Sequence, residues 1–349
     1  MTGLYIHVPF CRSRCSYCDF AVSVGKPASD YVGLIERELA LSQWSGAAST
    51  LYLGGGTPSS LPIADLAALT GLVAIEPGAE VSVEVNPEDV SPLWAEGALA
   101  AGASRLSLGV QSFDSRVLEW FKRGHRPEDV RRAWKALRSA GFANLSVDLI
   151  FGAPGETGAS WRETLERTIT LEPEHVSVYA LTIESGTPLR GMELDEETLA
   201  ERYRLADRLL ADAGYRWYEI SNWARPGFAS RHNLGYWNGS DYLGLGPSAH
   251  SRLGAARFWN VRSYPRYRQR VSHGLRPIEG VEILEGEELE EEAAYLRLRT
   301  RTGLGAGELP SWTGGLIEPD GDRAVLSLDG RLQLDGIFAR LAAEGAFRG

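Results

Sequence analysis

Tyr5-Ile6-His7-Val8-Pro9-Phe10-Cys11-Arg12-Ser13-Arg14-Cys15-Ser16-Tyr17-Cys18 decides the reading of this 349-residue chain, because it holds all three cysteines within eight positions. Random placement would cluster three cysteines this tightly on the order of once in a thousand chains, so a shared ligand is the natural reading. Iron–sulfur clusters are normally held by four cysteines. Three leave one metal vertex open, and an open vertex is where outside chemistry enters, as it does in three-ligand catalytic zinc sites. Two other readings stand beside this one: a zinc site completed by a nearby histidine such as His7, and three buried free thiols. The odd count and tight spacing argue against a disulfide framework and for a reducing compartment.

Outward from the cysteines, the chain alternates between short β-rich runs and helical patterns. Gly3–Val8 reads as a strand running into the cysteine loop, followed by Thr50–Leu53, Val81–Val85, Arg105–Val110, Leu145–Ile150 and Val176–Leu181. Helix patterns fall between them near Asp30–Ser42, Ile63–Val73, Pro92–Ala100, Pro127–Ala140 and Ser160–Leu171, with start signals at Asp30 and at Ser91-Pro92. Six strands separated by helices predict an α/β fold of parallel βα units with both sheet faces covered. A full barrel needs eight units, so the expectation is a partial barrel or an open sheet.

Polar residues stand where such folds keep their chemistry, at the C-terminal ends of strands. They are Gly54-Gly55-Gly56-Thr57-Pro58, Glu84-Val85-Asn86-Pro87, Gln111 and Thr182, with Asp148 inside the fifth strand. Taken singly, the glycines could form only a tight turn, Glu84 could lie on the surface, and Asp148 could be the structural partner of an arginine. Together they predict a cleft around one metal loop.

A second island, Trp217–Trp259, is dense in aromatics with little regular periodicity, as expected of a packed, loop-rich extension. Within it, His232 stands beside Tyr236 and Trp237. A histidine next to flat hydrophobic side chains suits an axial haem ligand, although a satisfied core histidine is the commoner case. Gly244-Leu245-Gly246-Pro247-Ser248-Ala249 imitates a dinucleotide fingerprint but lacks a strand–helix unit around it. The acidic run Glu279–Glu292 reads as a solvated linker entering a helix near Leu289–Thr300. A hairpin turning at Asp329-Gly330 and a last helix over Gly336–Glu344 complete a small winged-helix-like domain. The expected organisation is a barrel over 1–215, an extension over 216–278 and a C-terminal domain over 279–349.

The bulk properties narrow the function. A formal net charge of -10 disfavours a nucleic-acid binder. No apolar run is long enough to span a bilayer, and the N-terminus lacks a signal-peptide pattern, so the expected location is cytoplasmic.

The quoted segment, with Cys11-X3-Cys15-X2-Cys18 at its core, resembles the signature of radical S-adenosylmethionine (SAM) proteins. More narrowly it is similar to the branch of oxygen-independent coproporphyrinogen III oxidases and haem chaperones, over nearly the whole chain. The resemblance implies a partial (β/α)6 radical SAM barrel in which Cys11, Cys15 and Cys18 hold a 4Fe–4S cluster and SAM chelates the fourth iron. It implies that Tyr5, Gly55 and Glu84 contact this SAM. Gly56, Thr57, Gln111, Arg123 and Asp148 match positions that hold a second SAM in the oxidases, and Tyr17 stands at another aromatic contact to it.

Three departures from the oxidases point to the chaperones. Phe20 stands where the oxidases have a further cysteine, the chain begins only ten residues before Cys11, and His232-Asn233-X2-Tyr236-Trp237 matches the chaperones' HNxxYW motif. The resemblance thus implies haem as cargo, with His232 as candidate ligand to the haem iron and Tyr236 and Trp237 lining the porphyrin. It further implies haem-acceptor proteins as partners, and leaves a homodimer and a peripheral membrane contact open. The competing implication is oxidative decarboxylation of coproporphyrinogen III; a structural zinc protein is a third class.

Overall fold

The computed structural model describes residues 2–183, 194–305 and 309–347. Strand β1 (Gly3–Val8) leads into the cysteine loop, where β2 (Phe10–Cys11) and β3 (Ser23–Val24) pair as a short ladder. Then follow α1 (Tyr31–Ser42), β4 (Ala48–Gly55), α2 (Ile63–Thr70), β5 (Ile75–Val85), α3 (Pro92–Ala100) and β6 (Arg105–Gln111). Two helices, α4 (Ser115–Trp120) and α5 (Pro127–Ala140), precede β7 (Leu145–Phe151), and α6 (Gly158–Thr170) precedes β8 (His175–Ala180). All six predicted strands are present and pair in parallel in the order β1-β4-β5-β6-β7-β8.

The outward faces of these strands are apolar. Leu51, Leu53, Val83, Leu106, Leu108, Val147 and Leu149 are fully buried, packed with Leu34, Leu66, Ala95, Val130, Leu137 and Leu165 of the helices. Helix starts are encoded locally. Ser91 accepts from Trp94 N at 3.1 Å ahead of Pro92, and Thr157 accepts from Ser160 N at 3.1 Å.

Beyond β8 lie α7 (Glu196–Asp212), β9 (Arg216–Glu219), β10 (Asn222–Ala224) and α8 (Arg231–Trp237). The 17-residue α7 escaped the sequence reading, although Asp195 caps it and Glu196 and Glu197 follow in its first turn. Strands β11 (Tyr242–Leu245), β12 (His250–Leu253) and β13 (Ala256–Asn260), helix α9 (Tyr264–Ser272) and β14 (Ile278–Ile283) come next.

The extension is therefore more regular than its aromatic composition suggested. β11 lies parallel to β1, as a seventh parallel strand, and β12, β13 and β14 continue antiparallel to the sheet's edge. Four residues are too few to show a period, which is why β11 was not legible. The glycine-rich stretch after β11 leads into β12 rather than a helix, so it forms no dinucleotide site. The acidic run starts inside β14 and not in a linker, because Gly280 and Glu282 pair with Trp259 and Arg257.

At the C-terminus, α10 (Glu287–Leu298) packs on a sheet of β15 (Leu304–Gly305), β17 (Arg323–Leu326) and β16 (Ile317–Asp320), followed by α11 (Leu328–Leu332) and α12 (Leu334–Ala343). Leu298, Leu304, Leu326, Ile337 and Leu341 form its own small core. The predicted Asp329-Gly330 turn is corrected: the hairpin turns at Gly321, and Asp329-Gly330 lies in α11. Ser327 caps that helix by accepting from Gly330 N at 3.0 Å, and a Cβ at Gly330 would overlap the Leu316 carbonyl. That glycine serves close packing, not a left-handed turn.

Candidate functional site

The sheet curls so that its inner face encloses a cavity of about 590 Å³, opening between the cysteine loop and the strand ends. Cys11 ends β2, and Cys15 and Cys18 follow in the loop. All three are half-buried free thiols on the cavity wall. The loop is held from several sides: Gly25 N donates to Cys11 O at 2.9 Å, Ser16 N to Phe121 O at 3.2 Å, and Arg14 Nη2 to Cys18 O at 3.1 Å. Burial pushes the Cys11 and Cys18 thiols up, and thiolate neighbours add to it. Thiols held close on one loop fit a metal cluster, whose positive charge would stabilise the deprotonated form of raised groups such as Cys11 and Cys18.

His7 is excluded as a fourth ligand from this loop in the observed arrangement. Its Nδ1 meets Tyr5 Oη at 3.0 Å within β1 and its Nε2 meets Ala21 O at 3.0 Å, so both ring nitrogens are engaged, the second bracing β1 against the loop.

The glycine turn after β4 lies against the loop. Gly55 has φ +106° and its Cβ would strike the His7 ring, while a Cβ on Gly56 would strike Val8 O and Phe10 O. Thr57 Oγ1 donates to Cys11 Sγ at 3.4 Å, and Gly55 N donates to Glu84 Oε2 at 3.0 Å. Glu84 Oε1 accepts from Tyr52 Oη at 2.9 Å. Burial pushes the Glu84 carboxyl up to about 7, the Tyr52 bond opposes this, and the Asp148 charge adds to it.

On the facing wall, Arg123 reaches Cys15 Sγ at 3.7 Å, Asn86 Oδ1 at 2.5 Å and Gly109 O at 2.9 Å. Gln111 sits at φ +63°, where the β6–β7 register shifts between Gly109 and Gln111. A left-handed glutamine costs on the order of 1 kcal/mol, and here it marks a strand end bent toward the cavity. Asp148 accepts from Ser107 with both oxygens, at 2.9 and 2.8 Å. Tyr17 packs edge-on against Phe121 at 4.7 Å.

Of the sequence-predicted residues, Cys11, Cys15, Cys18, Tyr17, Gly55, Gly56, Thr57, Glu84, Gln111, Arg123 and Asp148 meet at this one cavity. Tyr5 stands beside them in β1, its hydroxyl on His7. His232, Tyr236 and Trp237 are not on the cavity lining; of their motif only Asn233 reaches it. His232 is 3 % exposed, stacked on Tyr52 at 5.2 Å, with Nδ1 on Thr50 Oγ1 at 2.8 Å and Nε2 on Tyr236 Oη at 2.7 Å. Burial, with Arg105 nearby, lowers its pKa to about 3, so the imidazole is neutral. Trp237 lies under the Arg299 guanidinium at 4.7 Å, its Nε1 buried without a partner among the described residues.

Sequence reasoning missed Tyr52, Arg105, Ser107, Ser177 and Tyr179, which also line the cavity, whereas Asn86, read at a strand end, is there as expected. A period-two signal was available: Arg105-x-Ser107-x-Gly109-x-Gln111, Ser146-x-Asp148 and Ser177-x-Tyr179 alternate with apolar residues. A parallel strand between two apolar layers would be hydrophobic throughout, so alternation signals a polar barrel interior.

Clustered thiols over a polar barrel cavity are a donor set that would suit a metal cluster beside a polar organic cofactor. Comparison with known proteins agrees. The sequence model of the Radical SAM superfamily matches residues 5–168. The haem chaperone HemW of Mycobacterium tuberculosis is 40% identical, over 97% of this chain and 94% of its own. HemW of Bacillus subtilis is 33% identical, over 87% and 85%. Among solved structures, coproporphyrinogen III oxidase (HemN) of Escherichia coli superimposes with a TM-score of 0.82 at 23% identity, covering 97% of this chain and 89% of that one, a likeness of fold. The chain belongs to the radical SAM superfamily and, within it, to the HemW family. Membership implies a 4Fe–4S cluster and SAM as cofactors.

Proposed function

We propose that this protein is a haem chaperone, which binds haem and passes it to acceptor proteins, and that its cluster and SAM govern stability or release rather than coproporphyrinogen decarboxylation. The observation that carries the reading is the 40% identity to a HemW chaperone along almost the whole chain, against 23% to the oxidase of the same fold. Phe20, which replaces the oxidases' additional cysteine, supports it; its ring is 63% exposed on the cavity rim.

In this reading Cys11, Cys15 and Cys18 hold the cluster, whose chemistry when loaded is one-electron reduction of the SAM bound at its open iron. The chain's own groups prepare that site. Gly55 and Gly56 let the backbone close on the loop, and Arg123 supplies positive charge beside Cys15. Glu84, held by Tyr52 and Gly55, offers a carboxylate to the cationic cofactor. His232 is the candidate haem ligand, with Tyr236 and Trp237 beside it. Taking up iron through Nε2 requires giving up the Tyr236 hydroxyl, so haem loading opens this wall of the barrel. A cytoplasmic location accompanies the reading. Among the described residues, no helix is long and apolar enough to cross a membrane.

The test combines two assays on anaerobically reconstituted protein. Added haem is expected to give a saturable Soret band that His232→Ala shifts or removes, and a haem-free acceptor is expected to drain it. Incubation with SAM, reductant and coproporphyrinogen III is expected to give no decarboxylated porphyrinogen by mass spectrometry. Decarboxylated product in step with deoxyadenosine would overturn the chaperone reading in favour of the oxidase.

A further inference from the structure

Arg105, the first residue of β6, is among the largest fully buried side chains of the molecule, at 2 % exposure, yet it lines the barrel cavity. Among the described residues its guanidinium makes no hydrogen bond and no ion pair, and its Nε is buried without a partner. Half-buried Arg123 and buried Arg331 also leave Nε without a partner among the described residues, but their terminal nitrogens are engaged. Arg123 spends its nitrogens on Cys15, Asn86 and Gly109, and Arg331 pairs with Asp207 at 2.8 Å.

The carboxylates that act on Arg105 from longer range are already engaged. Glu80 accepts from Ser82, Ser230, Arg231 N and His232 N, so it caps α8. Asp148 is bound by Ser107 and Ser146, and Glu84 by Tyr52 and Gly55 N. Burial disfavours the Arg105 charge and Glu80, with Asp148, offsets that from longer range, but neither fills the fork directly, and an arginine fork is shaped for two oxygens of one acid group. A second donor stands on the same cavity. Asn233, the one motif residue to reach it, has a half-buried carboxamide with no partner among the described residues.

We propose that Arg105, assisted by Asn233, forms a binding site for a single carboxylate group inside the barrel, on the same cavity as the cluster loop and beside His232. The ligand class is a monocarboxylate. The Arg105 fork matches the two oxygens of one carboxylate, and Glu84 and Asp148, which share the cavity with Arg12, Arg14, Lys122 and Arg123, oppose the second charge of a phosphate dianion. Two sources carry that chemistry: a free small acid, or the propionate arm of a porphyrin, the latter resting on the haem reading above.

The test is equilibrium dialysis of radiolabelled propionate against the anaerobically reconstituted, SAM-loaded full chain. The wild type is expected to bind propionate saturably, without displacement by equimolar phosphate. Arg105→Gln is expected to abolish the binding. Arg105→Lys keeps the charge but loses the fork, and is expected to weaken binding about tenfold with cluster absorbance and circular dichroism unchanged. Absence of saturable binding in the wild type overturns the proposal whether or not Arg105→Gln folds; so does undiminished binding in Arg105→Lys. Mesoporphyrin displacing propionate while its dimethyl ester does not assigns the site to a porphyrin arm; displacement by neither assigns it to a free acid. The Soret titration of the same preparations separates the two readings, because a lost Soret band with intact propionate binding removes only the haem assignment.

Discussion

The cysteine loop and helix α8 each carry a ligand motif, and the fold treats them in opposite ways. The three thiols face a cavity and take little from their surroundings beyond the Thr57 and Arg123 contacts. His232 is sealed into the barrel wall with both ring nitrogens bonded and its ring stacked on Tyr52. A site whose donors are unspent is ready for its ligand, whereas one whose donors are spent on the fold must rearrange. On the proposed reading, cluster binding would complete this architecture, and haem ligation through His232 would compete with it. The two regions are also joined, since the tyrosine under His232 holds Glu84 at the cofactor cavity.

The largest effect expected is at the loop. Cys11→Ala should lose the cluster entirely, measured as iron and sulfide content after anaerobic reconstitution, since two thiolates rarely hold such a cluster. A full complement of iron in that variant breaks the contrast at its open end.

Next comes the latch that ties the extension to α1. Glu38, 4 % exposed, accepts from Gly246 N at 2.7 Å, Tyr267 Oη at 2.6 Å and Asn260 Nδ2 at 2.5 Å. Burial outweighs these bonds and raises its pKa from 4.5 to about 7. A carboxyl raised on folding stabilises below about pH 4.5 and loses that contribution as pH climbs to about 7, a change of about 3 kcal/mol. Thermal unfolding followed from pH 4.5 to 7 should thus show a decline in the wild type that Glu38→Gln removes, with cluster content unaltered in both.

A smaller effect, about tenfold, is expected in SAM affinity for Glu84→Gln, with the cluster retained. With the Glu84 carboxyl pushed up to about 7, wild-type affinity for the cationic cofactor should rise as pH passes upward through that value, and the variant's should stay flat. Loss of the cluster in Glu84→Gln would give this residue a structural role instead.

The subtlest change sharpens the other end of the contrast. Tyr236→Phe frees His232 Nε2 from a competing bond of about 1 kcal/mol, so haem affinity by Soret titration should tighten roughly fivefold. Unchanged or weaker binding would argue against Nε2 as the iron-binding atom.

Much of the fold was legible because each signal was local. Strands β1, β6 and β7 announce themselves as short β-rich runs between helix patterns, and α3 and α5 begin at Pro92 and Pro127, where proline's fixed φ suits a first helical turn. The cysteine loop, the glycine turn, Glu84 and Gln111 were legible as strand-end residues once the βα order was seen. What failed lacked a local signal or carried a misleading one. β11 is four residues long, and Asp329-Gly330 has the composition of a hairpin turn although Ser327 two residues earlier caps a helix. Arg105 lies at the start of its strand rather than the end, so the strand-end rule passed it over.

By itself, the sequence determined the parallel βα order, the three-thiolate loop and the family, because these depend on residue types at short spacing. Only the tertiary structure decided which donors are free. It spent both nitrogens of His232 on Thr50 and Tyr236, engaged Glu80 at the start of α8, and left the Arg105 Nε without a partner among the described residues. The reason is physical: a hydrogen bond between residues 50 and 232 is set by how strands and helices pack, and neither residue's neighbours in the chain encode it.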